Sequence, residues 1–338
     1  MQKSDSNAIL FKKEKFEEVR RYHTSLHLVE GQNYNRTDKL SEEMYYPSMG
    51  LFMLLKRKRS GSNDEESEEK GSDLILVVNT HILFNKNRGH VKFGMLVLLF
   101  KIINEIKAQS NFGSVILCGD FNIAPNSMLY NYISTGHVHL GVDLKEFSNQ
   151  AYLMYLSQNK QLDELISISD MKYKPRPNPK VTISQIFLQN LNACQVKMPT
   201  NQNDITITFE NHFIQDIKIN VAHSMRVSME ELSTNLNLKS AYAKFNKKYF
   251  QSYSSKPSFM DMHFWFNPNT HNNDSFITNF TEDVRHTVDY VWYNSSQFQV
   301  ARILQAPDLE YLAKSQSGCP FDSFPSDHFS LVVDFVDK

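Results

Sequence analysis

Four short stretches set polar or charged residues into otherwise apolar runs. They are Asn79 and His81 in VVNTHILF, Asp120 and Asn122 in VILCGDFN, Asp289 in HTVDYVWY, and Asp327 with His328 in FPSDHFSLVVDF. Burying such groups without partners costs about 1–3 kcal/mol each, and more when they are charged, so each needs a hydrogen-bond partner or a ligand. Asp120 and Asn122 are two residues apart, which puts both side chains on one face of an extended backbone. A turn reading competes there, because Asp and Asn are common turn residues and Pro125 ends a strand. One buried histidine is more often a satisfied core residue than a catalyst, but four sites of the same kind argue for convergence. If the strands are neighbours, three carboxylates, two histidines and two asparagines meet at one rim. That set offers oxygen ligands to a hard cation, Mg²⁺ or Mn²⁺, which binds through one or two carboxylates plus substrate phosphate. It also offers an imidazole with a carboxylate to orient it. Water attack on a phosphoester needs these parts: a metal to stabilise charge, a base for water and donors for the phosphoryl oxygens.

The elements that would carry these residues alternate in type. NAILFKKEKFEEV and MGLFMLLKRKR read as strands, and DLILVVNTHILF is a strongly apolar one. GHVKFGMLVLLFKIINEIKAQ reads as a mostly buried helix with Lys and Glu on its remaining face, and the strand ending in Gly-Asp-Phe-Asn follows. Strand, helix, strand is a layered α/β unit whose functional side chains gather at strand ends. Strand signals return at HTVDYVWY and HFSLVVDFV. Lys56–Ser72 has four basic residues and then an acidic, Ser/Gly-rich run, which reads as a solvated hairpin loop rather than a docking tag. Between about 158 and 231 the periodicity fades and KPRPNPK excludes a helix, so an insertion or mobile surface region is expected. The whole of 1–338 reads as a single domain with no internal repeat.

Composition narrows the class. Over 338 residues, hydrophobic content of 41% and charged content of 22% are globular values. A net charge of −1 gives bulk attraction to nucleic acid no support, so any phosphate-binding surface must be local. Cys118, Cys194 and Cys319 are far apart, which indicates neither a disulfide framework nor a zinc site and favours a reducing compartment. MQKSDSNAIL has no apolar signal core and GMLVLLF is too short to cross a bilayer. A soluble protein of the cytoplasm or nucleus, without a membrane partner, is expected.

The ordered series NTH, GDFN, VDY and SDH resembles the endonuclease/exonuclease/phosphatase superfamily. More narrowly, DSNAILFKKEKFE, NTHILFNKNRGHVKFGML, GDFNIAPNSMLYNYISTG, LKSAYAKF and FPSDHFSLVVDF look like the Angel homologues, relatives of nocturnin and the poly(A)-shortening deadenylases. The resemblance spans most of residues 5–338 apart from the acidic loop and 158–231. It implies a four-layer α/β sandwich and an Mg²⁺-dependent hydrolase of phosphoesters at RNA 3′ ends, of the 3′–5′ exoribonuclease or poly(A) deadenylase kind. By the same resemblance Asp120 would activate or hold the attacking water and Asn122 would bind the scissile phosphate. His328 would be the imidazole beside the phosphate, oriented by Asp289; Asp120 and Asp327 would hold the metal; Asn79 and His81 would contact phosphate or transition state. Arg88 and Lys92 would either contact RNA backbone or belong to a solvated helix start. Members of the family also carry a strand with an Asn and a second strand ending in Gln-Glu, whose Glu is a principal metal ligand. DSNAILF resembles the strand that follows both, and neither is found here. A truncated product and a noncatalytic descendant both fit that departure, and either implies little turnover by the chain as it stands. An RNA-binding or scaffold protein and a small-molecule phosphatase are the alternatives.

Overall fold

The computed structural model describes residues 7–26, 48–58, 73–85, 88–125, 127–137, 191–192, 194–201, 203–210, 233–243, 278–281, 285–304, 318–320 and 324–338. Most of the acidic loop and of 158–231 therefore lies outside the described residues. The strands are β1 (Phe16–Ser25), β2 (Met49–Arg57), β3 (Leu74–His81), β4 (Ser114–Asp120), β5 (Gln195–Lys197), β6 (Thr208–Glu210), β7 (Lys239–Ser240), β8 (Asn279–Phe280), β9 (Arg285–His286), β10 (Asp289–Ser295), β11 (Phe298–Ile303) and β12 (Val333–Asp337). Two helices, α1 (Gly89–Ser110) and α2 (Met128–Thr135), flank β4 in sequence.

Six strands form one sheet in the order β1-β2-β3-β4-β10-β7. Its β3–β4 pair is parallel and is joined through α1, the strand-helix-strand unit expected from the alternation of patterns. The two faces follow the period of two. Leu76, Val78, Val115, Leu117, Tyr290 and Trp292 pack with α1 and α2, while Ile75, Val77, Ile116, Cys118, Val291 and Tyr293 pack toward β11 and β12. Helices, main sheet and second sheet are thus three layers among the described residues. The mixed α/β architecture matches the expected fold class. Helix α1 is buried almost all round from Val91 to Ile103, which is why its sequence is so uniformly apolar.

Polar side chains fasten these layers at a few points. Lys101 Nζ donates to the carbonyls of Leu191, Asn192 and Cys194 at 2.7–2.9 Å. The Tyr242 hydroxyl meets the carbonyls of Leu304 and Val332 and accepts from the Val332 N–H at 2.9 Å. Gly136 caps α2 with φ 76°, donates to Tyr132 O and accepts from the Thr234 N–H. Two expected strands begin later than their sequences suggest. Lys15 and Phe16 both donate to Lys12 O, a turn that leaves Leu10 95% exposed and delays β1 to Phe16. HFSLVVDFV becomes strand only at Val333, because Phe329 N is spent on Thr278 O and Val332 N on Tyr242. No helix among the described residues is long and apolar enough to cross a membrane.

Candidate active site

Strand register builds the site. Parallel pairing sets His81 opposite Asp120, and antiparallel pairing sets Asp289 opposite the same Asp120. One row across three adjacent strands therefore carries imidazole, carboxylate and carboxylate. His81 Nε2 lies 3.6 Å from Asp120 Oδ2. The close approach of β3 and β4 depends on Gly119, whose φ is 141° and whose missing Cβ would stand 1.9 Å from Thr80 O.

Past Asp120 the chain turns. The Asn122 N–H donates to Asp120 Oδ1 at 2.8 Å, and Asn122 takes a left-handed φ of 50°, which Asn tolerates. Phe121 is driven into the core against Tyr290 with ring centroids 6.0 Å apart. The Asn122 amide donates to Ile82 O at 2.9 Å, and the Ile82 N–H donates to Asp120 O at 2.9 Å. Turn and rim are one object here: one Asp120 oxygen closes the turn, while the other faces His81.

His328 arrives from the far end of the chain. Its Nδ1–H donates to Asp289 Oδ2 at 2.7 Å, and its Nε2 lies 2.9 Å from the Asn279 side-chain amide. Asp327 Oδ2 is 3.9 Å from that Nε2. A backbone clip delivers the pair: Phe280 N–H donates to Asp327 O, and Phe329 N–H donates to Thr278 O. The Thr278 hydroxyl oxygen in turn accepts from the N–H groups of Val288 and Asp289 at 3.0 Å each, tying the clip to the start of β10.

The environment pushes the titratable groups in useful directions. Burial and then the charge of Asp289 raise Asp120 to about 6, against the pull of His81, the Asn122 N–H and His328. Burial alone would lower His328, but the bond to Asp289 and the charges of Asp289, Asp120 and Asp327 raise it to about 9. Lys92 is 1% exposed and donates to the Asn122 carbonyl. Burial lowers it to about 8, partly offset by Asp120. Expected on a helix surface or at RNA backbone, Lys92 instead points inward, because its position on α1 faces the turn at Asn122.

Asp120, Asp289 and His328 offer ligand atoms within 4.8 Å of one another. The donor set fits a hard divalent cation: Asp120 and Asp289 are carboxylates whose mutual repulsion such an ion would relieve, with Asp327 as a further oxygen donor nearby.

The chain is 26% identical over 265 residues to carbon catabolite repressor protein 4 homolog 3 of Arabidopsis thaliana, covering 78% of this chain and 46% of that protein. It is 25% identical over 279 residues to human protein angel homolog 2, covering 77% of this chain and 44% of that protein. Its fold matches the crystal structure of ANGEL2, a 2′,3′-cyclic phosphatase, in complex with adenosine-2′,3′-vanadate, with a TM-score of 0.53 at 21% identity over 96% of this chain and 68% of that one. Its relatives by sequence are thus Angel and carbon catabolite repressor protein 4 homologues. No model of a protein family matches it, and it spans about half the length of these curated relatives.

Of the residues that the Angel resemblance singled out, Asp120, Asn122, His81, Asp289, Asp327 and His328 come together at this rim. Asn79 stands two residues back along β3, where its amide donates to Ala8 O at 2.9 Å. Arg88 is the N-cap residue of α1, one turn before Lys92. Asn279, 8% exposed and bonded to His328, was not foreseen; the polar Thr-Asn pair just before HTVDYVWY was its trace in the sequence.

Proposed function

We propose that this chain is a divalent-metal-dependent hydrolase of phosphoesters at RNA 3′ ends. One arrangement carries the reading: a buried carboxylate, Asp120, faces a histidine held by Asp289 at 2.7 Å, with pKa values pushed to about 6 and about 9. Groups separated in this way suit opposite roles. Asp120 is the base that takes a proton from the attacking water. His328, protonated at neutral pH with Nδ1–H fixed on Asp289, presents Nε2 to the phosphoryl oxygens or the leaving oxygen. Asn122 and His81 supply further donors at the same rim. Asp120 with Asp289 or Asp327 would hold a divalent cation, which would supply positive charge beside the phosphate. The pH profile of kcat/KM is then a bell with limbs near these two values, its acid limb displaced downward by metal.

The favoured bond is the 3′–5′ linkage of an RNA end, as in exonucleolytic removal of poly(A). A 2′,3′-cyclic phosphate is the second reading, supported by the activity named for the ANGEL2 structure. The chain, incubated with Mg²⁺ or Mn²⁺, is assayed on poly(A) with a free 3′ hydroxyl, a non-adenylate RNA of equal length, and RNA ending in 2′,3′-cyclic phosphate. Slow, metal-dependent turnover that a chelator abolishes is expected on one of them, consistent with a site that lacks the further carboxylate of a Gln-Glu strand end. Absence of turnover on all three in saturating metal would sink the hydrolase reading in favour of a noncatalytic RNA-binding or scaffold role. Turnover confined to small phosphomonoesters would make the chain a small-molecule phosphatase.

A further inference from the structure

We infer that Phe84 is a stacking platform for the nucleobase of a nucleotide whose phosphate lies at the Asp120–His328 centre, a subsite that rests on the hydrolase reading above. Phe84 is 74% exposed, and among the described residues the other large apolar side chains that stand exposed, such as Leu10, Val19 and Leu304, are aliphatic. Single exposed hydrophobic residues are ordinary, so the case turns on how this one is held and where.

Its N-terminal neighbours are anchored. Ile82 is fully buried, and Leu83 packs against the main core. Ile82 is also bonded in both directions to the catalytic turn, its N–H to Asp120 O and its carbonyl to the Asn122 amide, each at 2.9 Å. Two residues of chain span at most about 7 Å, so the Phe84 Cα lies within that reach of a residue locked to both Asp120 and Asn122. On the C-terminal side, Arg88 N–H donates to Asn85 O at the entry to α1, and Lys92 in that helix holds the Asn122 carbonyl. Both flanks of Phe84 are thus referenced to the same turn. Its ring stands out from an anchored stretch of backbone rather than from a loose one.

A base beside the bound phosphate is the occupant that the chemistry favours. Aromatic faces stack on any base, because every base has a π-face, so such a platform grips a terminal nucleotide without reading its identity. Arg88, four residues on at the helix start, adds a cation on the same connection, suited to a phosphate neighbouring the stacked nucleotide. Phe84 touches no reacting atom in this arrangement; it sets affinity for nucleotides over other phosphoesters.

The test reads binding and needs no turnover. A ribo-oligonucleotide with 2-aminopurine at its 3′ end is titrated into the chain and its Phe84→Ala, Phe84→Leu and Phe84→Trp variants, with Ca²⁺ replacing Mg²⁺ and ribose 5-phosphate as a baseless competitor. Circular dichroism melting verifies that each variant is folded. Quenching of 2-aminopurine is expected with the unaltered chain and Phe84→Trp, and its loss with Phe84→Ala and Phe84→Leu. The ratio of oligonucleotide to ribose 5-phosphate affinity should fall about tenfold in those two variants, equivalent to about 1.4 kcal/mol. Equal quenching in Phe84→Ala, proportional loss of both ligands, or no oligonucleotide binding by the unaltered chain would each overturn the inference. Binding and quenching without hydrolysis in a parallel Mg²⁺ assay would leave it standing and remove the hydrolase reading alone.

Discussion

Replacing Asp120 by Asn should make the protein more stable while removing its activity. Asp120 titrates at about 6 instead of its ordinary 3.8, chiefly because burial and Asp289 disfavour the charge. Near neutral pH the folded chain nonetheless holds it ionised, at a cost of about 2 units times 1.4 kcal/mol, or about 3 kcal/mol. A raised folded pKa means that the favourable contribution is full below about 3.8 and is lost as pH climbs through about 6. Asn keeps the oxygen that accepts from the Asn122 N–H and drops the charge. Urea unfolding in chelator at pH 7.5 should therefore show the variant stabilised by about 2–3 kcal/mol, a midpoint shift of about 1 M for a slope of about 3 kcal/mol/M. At pH 4 the difference should shrink toward zero. Added Mg²⁺ should narrow the gap at pH 7.5 by stabilising only the unaltered chain. A variant less stable at pH 7.5, or an advantage of equal size at both pH values, would refute the assignment of Asp120 as a strained carboxylate.

Three further outcomes are expected. His328→Ala should lower metal-dependent turnover by about 10²-fold or more with the fold intact, as for a lost proton-transfer group; steady-state kinetics check it. Because His328 is raised from 6.5 to about 9, its contribution to stability is complete below pH 6.5 and fades as pH rises to 9, by up to about 3 kcal/mol. Unfolding curves at pH 6 and 9.5 should show that loss, and His328→Ala should flatten it. Gly119→Ala should destabilise by about 3 kcal/mol or more, because a Cβ there meets Thr80 O at 1.9 Å on a backbone of φ 141°. Denaturant titration measures the shift.

The central strands were legible because both their faces are covered, so that Val115 to Cys118 and Tyr290 to Tyr293 read as unbroken apolar runs. The site was legible at Asp120, Asp289 and His328 because a carboxylate or imidazole in an apolar strand is expensive and stands out. Less visible were residues whose role depends on a distant partner. Asn279 looks like an ordinary polar residue in FITNFT, and only the backbone bridge to His328 gives it a task. Lys92 follows the charge spacing of a solvated helix start, yet burial against Asn122 overrides that pattern. The apolar run of NAILF suggested a strand, but the turn at Lys12 decided otherwise. The Asp120–Asn122 pair needed no choice between turn and rim, since Asp120 Oδ1 closes the turn while Oδ2 faces His81.

Residues 138–190 connect two posts set in one layer. Gly136 is tied to Tyr132 and Thr234 on one side, and Lys101 gathers the carbonyls of Leu191, Asn192 and Cys194 on the other. Neither post includes Asp120, Asp289 or His328. The chain therefore leaves and rejoins the helix layer at points whose fastening is independent of the groups gathered at the strand ends.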